Sequence, residues 1–407
     1  MPGLRSVALG VWIGVGSRYE RREESGVSHF IEHLLFKGTP TRSAQEIAQV
    51  FDGLGGEINA ATGRDSTLVY TRVLDEHVDE AFEVMADMVQ RPALHDLDQE
   101  RQVVIEEIAM YEDDPDDLVH DLAATALYPN QPLGRPVIGT AEVIGSVTPA
   151  DILSYHGQHY CAPNVVVAAA GNVDHDRLAE LSARLLVDLP SDIAAPDLAP
   201  PTPASPRLLV RERPTEQYHL CLSGPGISRD DDRRHAHALL DSILGGSMSS
   251  RLFQEIREVR GLAYSVGSYT VGFKDGGQVG VFVGTRGDNL RLACEVIATE
   301  LQRIGDEPVS PDELRRAKEH MKGRIVLGLE SPSTRMNRVG RATLSGSELL
   351  AIDELIERVE AVSVDDIRGL ANEFWRPSLL CAAAIGPDRA LVEAATKHLS
   401  PALTQAG

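Results

Sequence analysis

The residues best suited to chemistry in this sequence are two histidines and a glutamate in the run SHFIEHLLFKG at 28–38. Two neutral imidazoles one helical turn apart, such as His29 and His33, can bind one divalent cation. A neighbouring carboxylate such as Glu32, if it is not itself a ligand, can deprotonate a water activated by that cation. The pattern therefore indicates metal-dependent hydrolysis. The competing interpretation is a pair of ordinary core histidines, because so short a motif also arises by chance.

A helix over residues 27–37 would position these groups. Ser28 can cap its start, and Lys37 and Gly38 suit its last turn and the position after it. His29 and His33 then share one face, which Glu32 borders. The order H-x-x-E-H is the inverted form of the H-E-x-x-H motif of zinc peptidases. The apolar residues that recur at helical spacing are Val27, Phe30, Ile31, Leu34 and Leu35.

A catalytic zinc site needs a third protein ligand, and the segment at 96–117 is the best place to find one. Its pattern is helical, and Glu100 and Glu107 are about two turns apart on one face. Glu106 points about 100° away from that face. We choose Glu107 as the ligand and Glu100 as a neighbouring acid. The alternative is that all of them are solvated carboxylates on an amphipathic helix.

Composition excludes several classes of function. The net charge of −22, from 61 acidic and 39 basic residues, argues against a nucleic-acid-binding surface. No run of eighteen apolar residues indicates a membrane span, and the first residues lack a clear export signal. The four cysteines are far apart in apolar settings, which indicates a reducing compartment. We therefore expect a cytoplasmic protein, or an organelle-matrix protein if a targeting segment is missing.

The chain reads as two similar halves. The Pro-rich stretch at 189–206 is an expected linker between an N-terminal half, 1–188, and a C-terminal half, 207–407. Residues 146–171 resemble residues 361–386 at an offset of 215, and strands are expected at 6–13, 67–73 and 164–170 with hairpin-like GG turns at 55–56 and 276–277. At an offset of 208, the positions in the second half that correspond to His29, Glu32 and His33 are occupied by His237, Leu240 and Asp241. These features predict an α+β fold, with helices packed on a mostly antiparallel sheet, present twice.

The runs HFIEHLLFKGT at 29–39 and ERQVVIEE at 100–107 together resemble the pitrilysin/insulinase family of zinc peptidases. Further similar segments are GGEINAATGRDSTLVY at 55–70, QPLGRPVIGT at 131–140 and SSRLFQEIREVRGLAYSV at 249–266, so the resemblance spans nearly the whole chain. It implies that His29, His33 and Glu107 bind one Zn²⁺, that Glu32 is the general base and that Glu100 is a supporting acid.

The resemblance also implies a zinc endopeptidase shaped like a clamshell. In it, Arg257 and Tyr264 of the second half would donate hydrogen bonds to the developing oxyanion. Taken alone, those two residues read as a surface arginine and a core tyrosine. A peptide or unfolded polypeptide would bind as an added strand along Gly56, Glu57, Ile58, Asn59 and Ala60, although this stretch is also a tight turn leading into a strand. We expect a homodimer without nucleic-acid or membrane partners.

Two alternatives and one departure accompany this interpretation. The chain could be a non-catalytic or partner-dependent subunit of a processing-peptidase-like complex, or a zinc-binding module without turnover. The presence of His29, Glu32, His33 and Glu107 together favours the enzyme. Members of the family have a further strand before the residues that match 5–14, and here residues 1–4 leave almost no room for it. Either the first sheet lacks that strand or the numbered start lies inside a longer reading frame.

Overall fold

The computed structural model of the protein describes residues 1, 3–191 and 198–405, and it forms two compact units. Unit 1 comprises Met1–Met110, Arg135–Ala199 and Val326–Leu349. Unit 2 comprises Tyr111–Gly134, Pro200–Ile325 and Leu350–Gly407. The division at 1–188, 189–206 and 207–407 follows chain order and stays a prediction, and residues 192–197 of its linker lie outside the described residues. Each unit takes in one segment from the other side of that linker.

The elements of unit 1 surround a four-stranded antiparallel sheet with the strand order β2-β3-β1-β4. Its strands are β1 (Ser6–Ile13), β2 (Glu57–Thr62), β3 (Thr67–Leu74) and β4 (Val165–Gly171). Its helices are α1 (Val27–Leu35), α2 (Ala44–Gly53), α3 (Val78–Gln90), α4 (Leu97–Asp113), α6 (Ala141–Ser146), α7 (Pro149–His159), α8 (His175–Leu185) and α12 (Pro332–Ser345), while α5 (Pro115–Leu127) belongs to unit 2.

Unit 2 has a six-stranded sheet with the order β10-β5-β9-β6-β8-β7. The pairs β10·β5 and β5·β9 are parallel, and the other three pairs are antiparallel. Its strands are β5 (Arg207–Glu212), β6 (Tyr218–Gly226), β7 (Ala263–Gly272), β8 (Gly277–Thr285), β9 (Cys381–Gly386) and β10 (Thr404–Gln405). Besides α5, its helices are α9 (Arg234–Leu244), α10 (Gly287–Asp306), α11 (Pro311–Gly328), α13 (Ile352–Ala361), α14 (Val364–Phe374) and α15 (Arg389–Thr396).

The predicted α+β class with two similar sheets is confirmed. The repeat at an offset of 215 corresponds to matching elements, because α7 and β4 recur as α14 and β9. The two sheets differ at one edge. β9 pairs with β5 on the side away from β6, whereas β4 pairs only with β1 among the described residues. In the described part of the chain, unit 1 therefore has no counterpart of β5.

One strand, β1, is buried on both faces, which explains its nearly continuous apolar sequence SVALGVWI. Val7, Leu9, Val11 and Ile13 belong to the main core of unit 1, which includes α1 and α3. The other face carries Ala8 and Trp12, which pack with Met336 of α12. A Cβ built on Gly340 of α12 would lie 2.0 Å from the indole nitrogen of Trp12, so only glycine fits there. Helix α12 thus closes the second face of this sheet.

Helix α5 has the corresponding place in unit 2. It packs against β6 and β9, and Val119 and Ala123 share a buried cluster with Cys221, Ala383 and Ile385. Tyr128, just after α5, donates a hydrogen bond to the carbonyl of Gly277 at 2.6 Å. The segments that carry α5 and α12 are therefore each packed on a sheet whose strands lie mainly on the other side of the linker.

The predicted hairpin turn at Gly55–Gly56 is wrong. These glycines join α2 to β2, and Gly55 takes a φ of 61°, which favours glycine. The hairpin between β2 and β3 instead turns at residues 63–66. The predicted turn at 276–277 is confirmed between β7 and β8. Among the described residues, no helix is both long and apolar enough to cross a bilayer.

Candidate metal centre

Helix α1 presents the H-x-x-E-H motif, and its apolar stripe fixes its orientation. Phe30, Ile31, Leu34 and Leu35 are fully buried in the core of unit 1. His29 and His33 lie on the opposite side, with side chains 13% and 22% exposed and rings in edge contact at 4.6 Å between centroids. The predicted helix is confirmed, although it ends at Leu35 rather than near residue 37.

The predicted cap of this helix at Ser28 is wrong. Helix α1 begins at Val27, and the position before it is Gly26 with a φ of 95°. The buried carboxylate of Glu20 takes the place of a local cap, since it accepts hydrogen bonds from the backbone N–H groups of Gly26 and Ser28 at 2.8 Å each. Burial raises the pKa of Glu20 to about 7, although the two N–H groups act in the opposite direction. A carboxylate from a preceding loop thus anchors the start of the metal-binding helix.

Helix α4 brings Glu107 to the two histidines. The Oε2 atom of Glu107 lies 3.3 Å from Nε2 of His33 and 3.8 Å from Nε2 of His29. Glu106 is exposed and does not belong to the group of side chains that could hold a metal ion, which is His29, His33 and Glu107. The two-turn spacing from Glu100 to Glu107 therefore selected the residue that the structure brings to the histidines. The roles of all these residues remain predictions.

The geometry of this cluster suits a zinc ion. Ligand atoms of His29, His33 and Glu107 all lie within 4.8 Å of one another, and no other such group occurs among the described residues. Ligands about 2.1 Å from a tetrahedral zinc lie about 3.4 Å from each other. The distances from Oε2 of Glu107 to Nε2 of His33 and of His29, 3.3 and 3.8 Å, bracket that value. Two imidazole nitrogens and one carboxylate oxygen are also the donor set of many catalytic zinc sites.

Buried polar atoms without hydrogen-bond partners also indicate a cation between Glu107 and the two histidines. The Oε2 atom of Glu107 is buried and has no hydrogen-bond partner among the described residues, although the Nε2 atoms of His29 and His33 face it. Buried polar atoms normally have partners, and a cation between them would satisfy all three groups. Burial, with a smaller contribution from His33, lowers the pKa of His29 to about 4. His29 is therefore neutral at neutral pH, as a metal ligand must be.

Glu32 lies beside the cluster and outside its ligand set. Its Oε2 atom is buried without a hydrogen-bond partner among the described residues. Burial raises the pKa of Glu32, while Thr62 at the end of β2 and His33 lower it by less. A carboxylate with a raised pKa is a better proton acceptor at neutral pH than an exposed one.

Glu100 supports His33 from the opposite side. It is only 3% exposed, and its Oε1 atom lies 2.8 Å from Nδ1 of His33. Its Oε2 atom lies 2.6 Å from Nζ of Lys37. A carboxylate on the second nitrogen of a ligating histidine orients the ring and selects its tautomer.

Strand β2 supplies the predicted substrate-binding residues. It is an edge strand, since β3 is its only partner among the described residues. Glu57, Ile58, Asn59 and Ala60 lie within it, and Gly56 immediately precedes it. Helix α1 packs against β2, so the free edge lies near the helix that carries the metal motif. The interpretation as a turn leading into a strand is confirmed, since the turn at Gly55 leads directly into β2, and substrate binding along this strand stays a prediction.

Arg257 and Tyr264 belong to unit 2, where they contact each other. The guanidinium of Arg257 stacks on the ring of Tyr264 at 4.3 Å and on the ring of Phe253 at 4.8 Å, on a π-helical turn over Phe253–Val259. Tyr264 is 77% exposed. The alternative in which Tyr264 is an ordinary core tyrosine is therefore wrong. Their catalytic role remains a prediction.

The second copy of the motif holds no comparable cluster. His237 and Asp241 on α9 are mostly buried, and Asp241 accepts a hydrogen bond from Ser268 at 2.6 Å. Within the described residues, unit 2 has no group of side chains that could hold a metal ion as His29, His33 and Glu107 could in unit 1. This agrees with the inference from the sequence that the second half has lost the ligand set.

Two residues around the site escaped the sequence analysis. Glu20 acts across a loop, and no spacing rule connects a carboxylate seven residues before Val27 to the start of a helix. The sequence predicts Lys37 only as a last-turn residue, whereas its ammonium pairs with Glu100 of another helix. A basic residue just after a motif helix, combined with a buried acid seven residues before the third ligand, is a signal that could have predicted the pair.

Two family models match the chain. The model described as "Insulinase (Peptidase family M16)" matches residues 2–141, and the model described as "Peptidase M16 inactive domain" matches residues 146–321. An uncharacterized zinc protease of Streptomyces coelicolor is 41% identical over 95% of this chain and 86% of its own length. An uncharacterized zinc protease of Bacillus subtilis is 40% identical over 92% of this chain and 91% of its own length.

Solved structures share the fold. A protease from Helicobacter pylori superimposes with a TM-score of 0.89 at 22% identity, covering 95% of each chain. A peptidase M16 inactive-domain protein from Pseudomonas fluorescens gives a TM-score of 0.86 at 24% identity, covering 95% of this chain and 94% of that one.

Proposed function

Because this chain belongs to the insulinase family of peptidases, peptidase family M16, we propose that it is a zinc-dependent endopeptidase with its metal on α1 and α4. The observation that carries the proposal is the convergence of His29, His33 and Glu107, with Glu32 buried beside them. Zinc, when bound there, supplies Lewis-acid activation of water and of the scissile carbonyl.

The residues of the chain carry out the proton transfers. Glu32 accepts a proton from the attacking water, because its buried carboxylate has a raised pKa and a free oxygen. It then donates that proton to the leaving amine. Glu100 holds His33 in the tautomer that presents Nε2, as the 2.8 Å contact with Nδ1 supports. Glu20 anchors the start of the helix that bears all three motif residues.

We infer an extended peptide as the substrate. The free edge of β2 offers backbone N–H and C=O groups to an added strand, and α1 packs against the same strand. Substrate residues paired with Glu57, Ile58, Asn59 and Ala60 would be held in extended form. Arg257 and Tyr264 supply donors for the developing oxyanion in this proposal, and the exposure of Tyr264 supports such a role.

The proposed setting is a cytoplasmic homodimer that acts on peptides or unfolded polypeptides. The four cysteines are buried and form no disulfide bond among the described residues, which supports a reducing compartment. Light scattering of the purified protein tests the oligomeric state, and a mass equal to 44.1 kDa at working concentration would contradict the dimer.

Zinc content and cleavage of a quenched extended peptide, measured on the same purified chain, test the function. We expect about one zinc per chain and hydrolysis that a chelator abolishes and zinc restores. Stoichiometric zinc without cleavage would favour a metal-binding module. Cleavage that appears only after a second, different subunit is added would favour a partner-dependent processing subunit.

A further inference from the structure

A lysine beyond the end of α1 is tied to the metal site through a buried acid. The Nζ atom of Lys37 lies 2.6 Å from Oε2 of Glu100, and Oε1 of the same carboxylate lies 2.8 Å from Nδ1 of His33. The Nε2 atom of His33 faces Glu107 at 3.3 Å. Lys37, Glu100 and His33 therefore form one continuous chain of polar contacts that ends at the cluster of ligand atoms.

Among the described residues, Oε1 of Glu100 contacts His33 and Oε2 contacts Lys37, and this determines how the carboxylate can act. If Oε2 is held by the ammonium, the carboxylate plane is fixed and Oε1 alone is left for His33. An acceptor at Nδ1 places the ring proton on that nitrogen and leaves the lone pair on Nε2. Without Lys37, the 3%-exposed carboxylate would lack a compensating charge and could turn away from the histidine.

The other histidine of the motif gives an internal comparison. The Nδ1 atom of His29 is buried and has no hydrogen-bond partner among the described residues. Only His33 therefore has an outer partner that fixes its ring. The affinity of the site for a metal should depend unequally on the surroundings of its two histidines, and the surroundings of His33 include Lys37.

We propose that Lys37 is a positioning residue of the metal site, which orders His33 by holding the carboxylate of Glu100. The proposal deepens the proposed function, since it takes the metal of this site to be zinc. It differs from a purely structural role, in which Lys37 would stabilise the end of α1 by its charge. A structural lysine affects the unfolding temperature, whereas a positioning lysine also affects zinc affinity and the tautomer of His33.

The test uses Lys37→Met, which keeps the length and apolar stem of the side chain and removes the ammonium. Zinc affinity is measured by competition with a chromophoric chelator, and we expect it to weaken about 10-fold, as for other losses of an outer partner of a ligand. Lys37→Arg keeps a cation and should bind zinc more tightly than Lys37→Met. It also keeps the test informative if Lys37→Met folds poorly.

The matched control is Lys322→Met. Lys322 in unit 2 is also an ion-paired lysine, and its Nζ atom lies 2.6 Å from the carboxylate of Glu319 and 2.5 Å from that of Glu360. Its replacement removes an ion-paired lysine of the same kind and should leave zinc affinity unchanged. Any general effect of lost charge would appear equally in both variants.

A second measurement reports on His33 without metal or activity. Nitrogen-15 spectra of the zinc-free protein should show His33 protonated on Nδ1 in the wild type and as a mixture of tautomers in Lys37→Met. Unchanged zinc affinity together with an unchanged His33 spectrum in Lys37→Met would overturn the proposal. A wild-type chain that binds zinc but cleaves no peptide would defeat the proposed function and leave the effect of Lys37 on zinc affinity intact.

Discussion

Glu107 on α4 and His33 on α1 face each other at 3.3 Å between Oε2 and Nε2, with no hydrogen bond joining the two atoms. Two groups with lone pairs at this distance repel each other unless a proton or a cation lies between them. The contact therefore identifies the place where the two helices would share a metal, and it makes Glu107 the first residue to test.

Replacing Glu107 by Ala should abolish stoichiometric zinc binding. The variant loses the only carboxylate oxygen in the ligand cluster, so we expect the affinity to fall by more than about 100-fold, beyond the loss seen for outer partners. Glu106→Ala is the matched control, because it removes an exposed acid from the next position of the same helix. Zinc retained by Glu107→Ala and lost by Glu106→Ala would move the third ligand to Glu106.

Replacing Glu32 by Gln should keep the zinc and remove the activity. Glutamine preserves the shape of the side chain but cannot accept the proton of the attacking water, so we expect kcat to fall by about 10²- to 10⁴-fold. Zinc content and peptide hydrolysis are measured on the same sample. Substantial turnover by the Gln variant, free of contaminating peptidase, would show that another group acts as the base.

Replacing Tyr264 by Phe should lower kcat with little change in stability. The hydroxyl belongs to a ring that is 77% exposed, so its removal costs little packing. If it donates to the developing oxyanion, the rate should fall about 10²- to 10³-fold. Tyr70→Phe in β3 of unit 1 is a control for the loss of a phenol. An unchanged kcat in Tyr264→Phe, at unchanged melting temperature and zinc content, would exclude this tyrosine from the chemistry.

The zinc-free protein should lose stability on mild acidification, partly through His29. Burial lowers the folded-state pKa of His29 to about 4, below the ordinary value of 6.5. The folded state therefore opposes protonation of His29. The free energy of unfolding is unaffected above pH 6.5 and decreases as the pH falls towards 4, and the decrease due to His29 is about 2 kcal/mol at pH 5. Urea unfolding at pH 7 and pH 5 measures the loss. Between pH 7 and pH 5, His29→Gln should lose less stability than the wild type. The control His95→Gln, at an exposed position, should lose as much as the wild type.

Replacing Gly340 by Ala should destabilise unit 1. The new Cβ would lie 2.0 Å from the indole nitrogen of Trp12, so we expect a loss of about 1–3 kcal/mol through overpacking. Gly323→Ala in α11 is the control, since no described atom beyond its chain neighbours and the backbone of its own helix lies within 4 Å of its added Cβ. In a Trp375→Phe background, Trp12 is the only tryptophan and its fluorescence reports on unit 1. A Gly340→Ala variant as stable as Gly323→Ala would contradict the close packing of α12 on β1.

The sequence predicted the parts of the site that depend on helical spacing. The separation of His29 from His33, and of Glu100 from Glu107, fixes which side chains share a face whatever the helices pack against. The start of α1 near Val27 was predicted correctly, but its cap was not, because the capping carboxylate of Glu20 comes from a loop and not from the helix. The Gly55–Gly56 turn was misread because a glycine pair bends the chain equally well after a helix and between two strands.

Nor could the sequence predict which sheet each helix covers. Helices α5 and α12 are ordinary capped segments with Pro in their first turns. Their partners are set by complementary surfaces, such as Gly340 against Trp12, that only the folded chain brings together. The predicted linker at 189–206 would divide the sequence into two halves, but each compact unit includes a segment from the other side of that boundary.

Helices α5 and α12 each pack on a sheet whose strands lie mainly on the other side of the predicted linker. This arrangement affects the order in which the chain can fold while it is being made. The strands of unit 1 are complete at Gly171, yet the face that carries Ala8, Trp12 and Ala168 stays uncovered until Pro332–Ser345 has left the ribosome. Helix α5 emerges long before β6 and β9, against which it packs. A nascent chain stalled between residues 190 and 331 therefore exposes apolar surfaces of both units at once. A fragment ending near residue 190 would have the same defect, because it contains α5 without its sheet and the first sheet without α12.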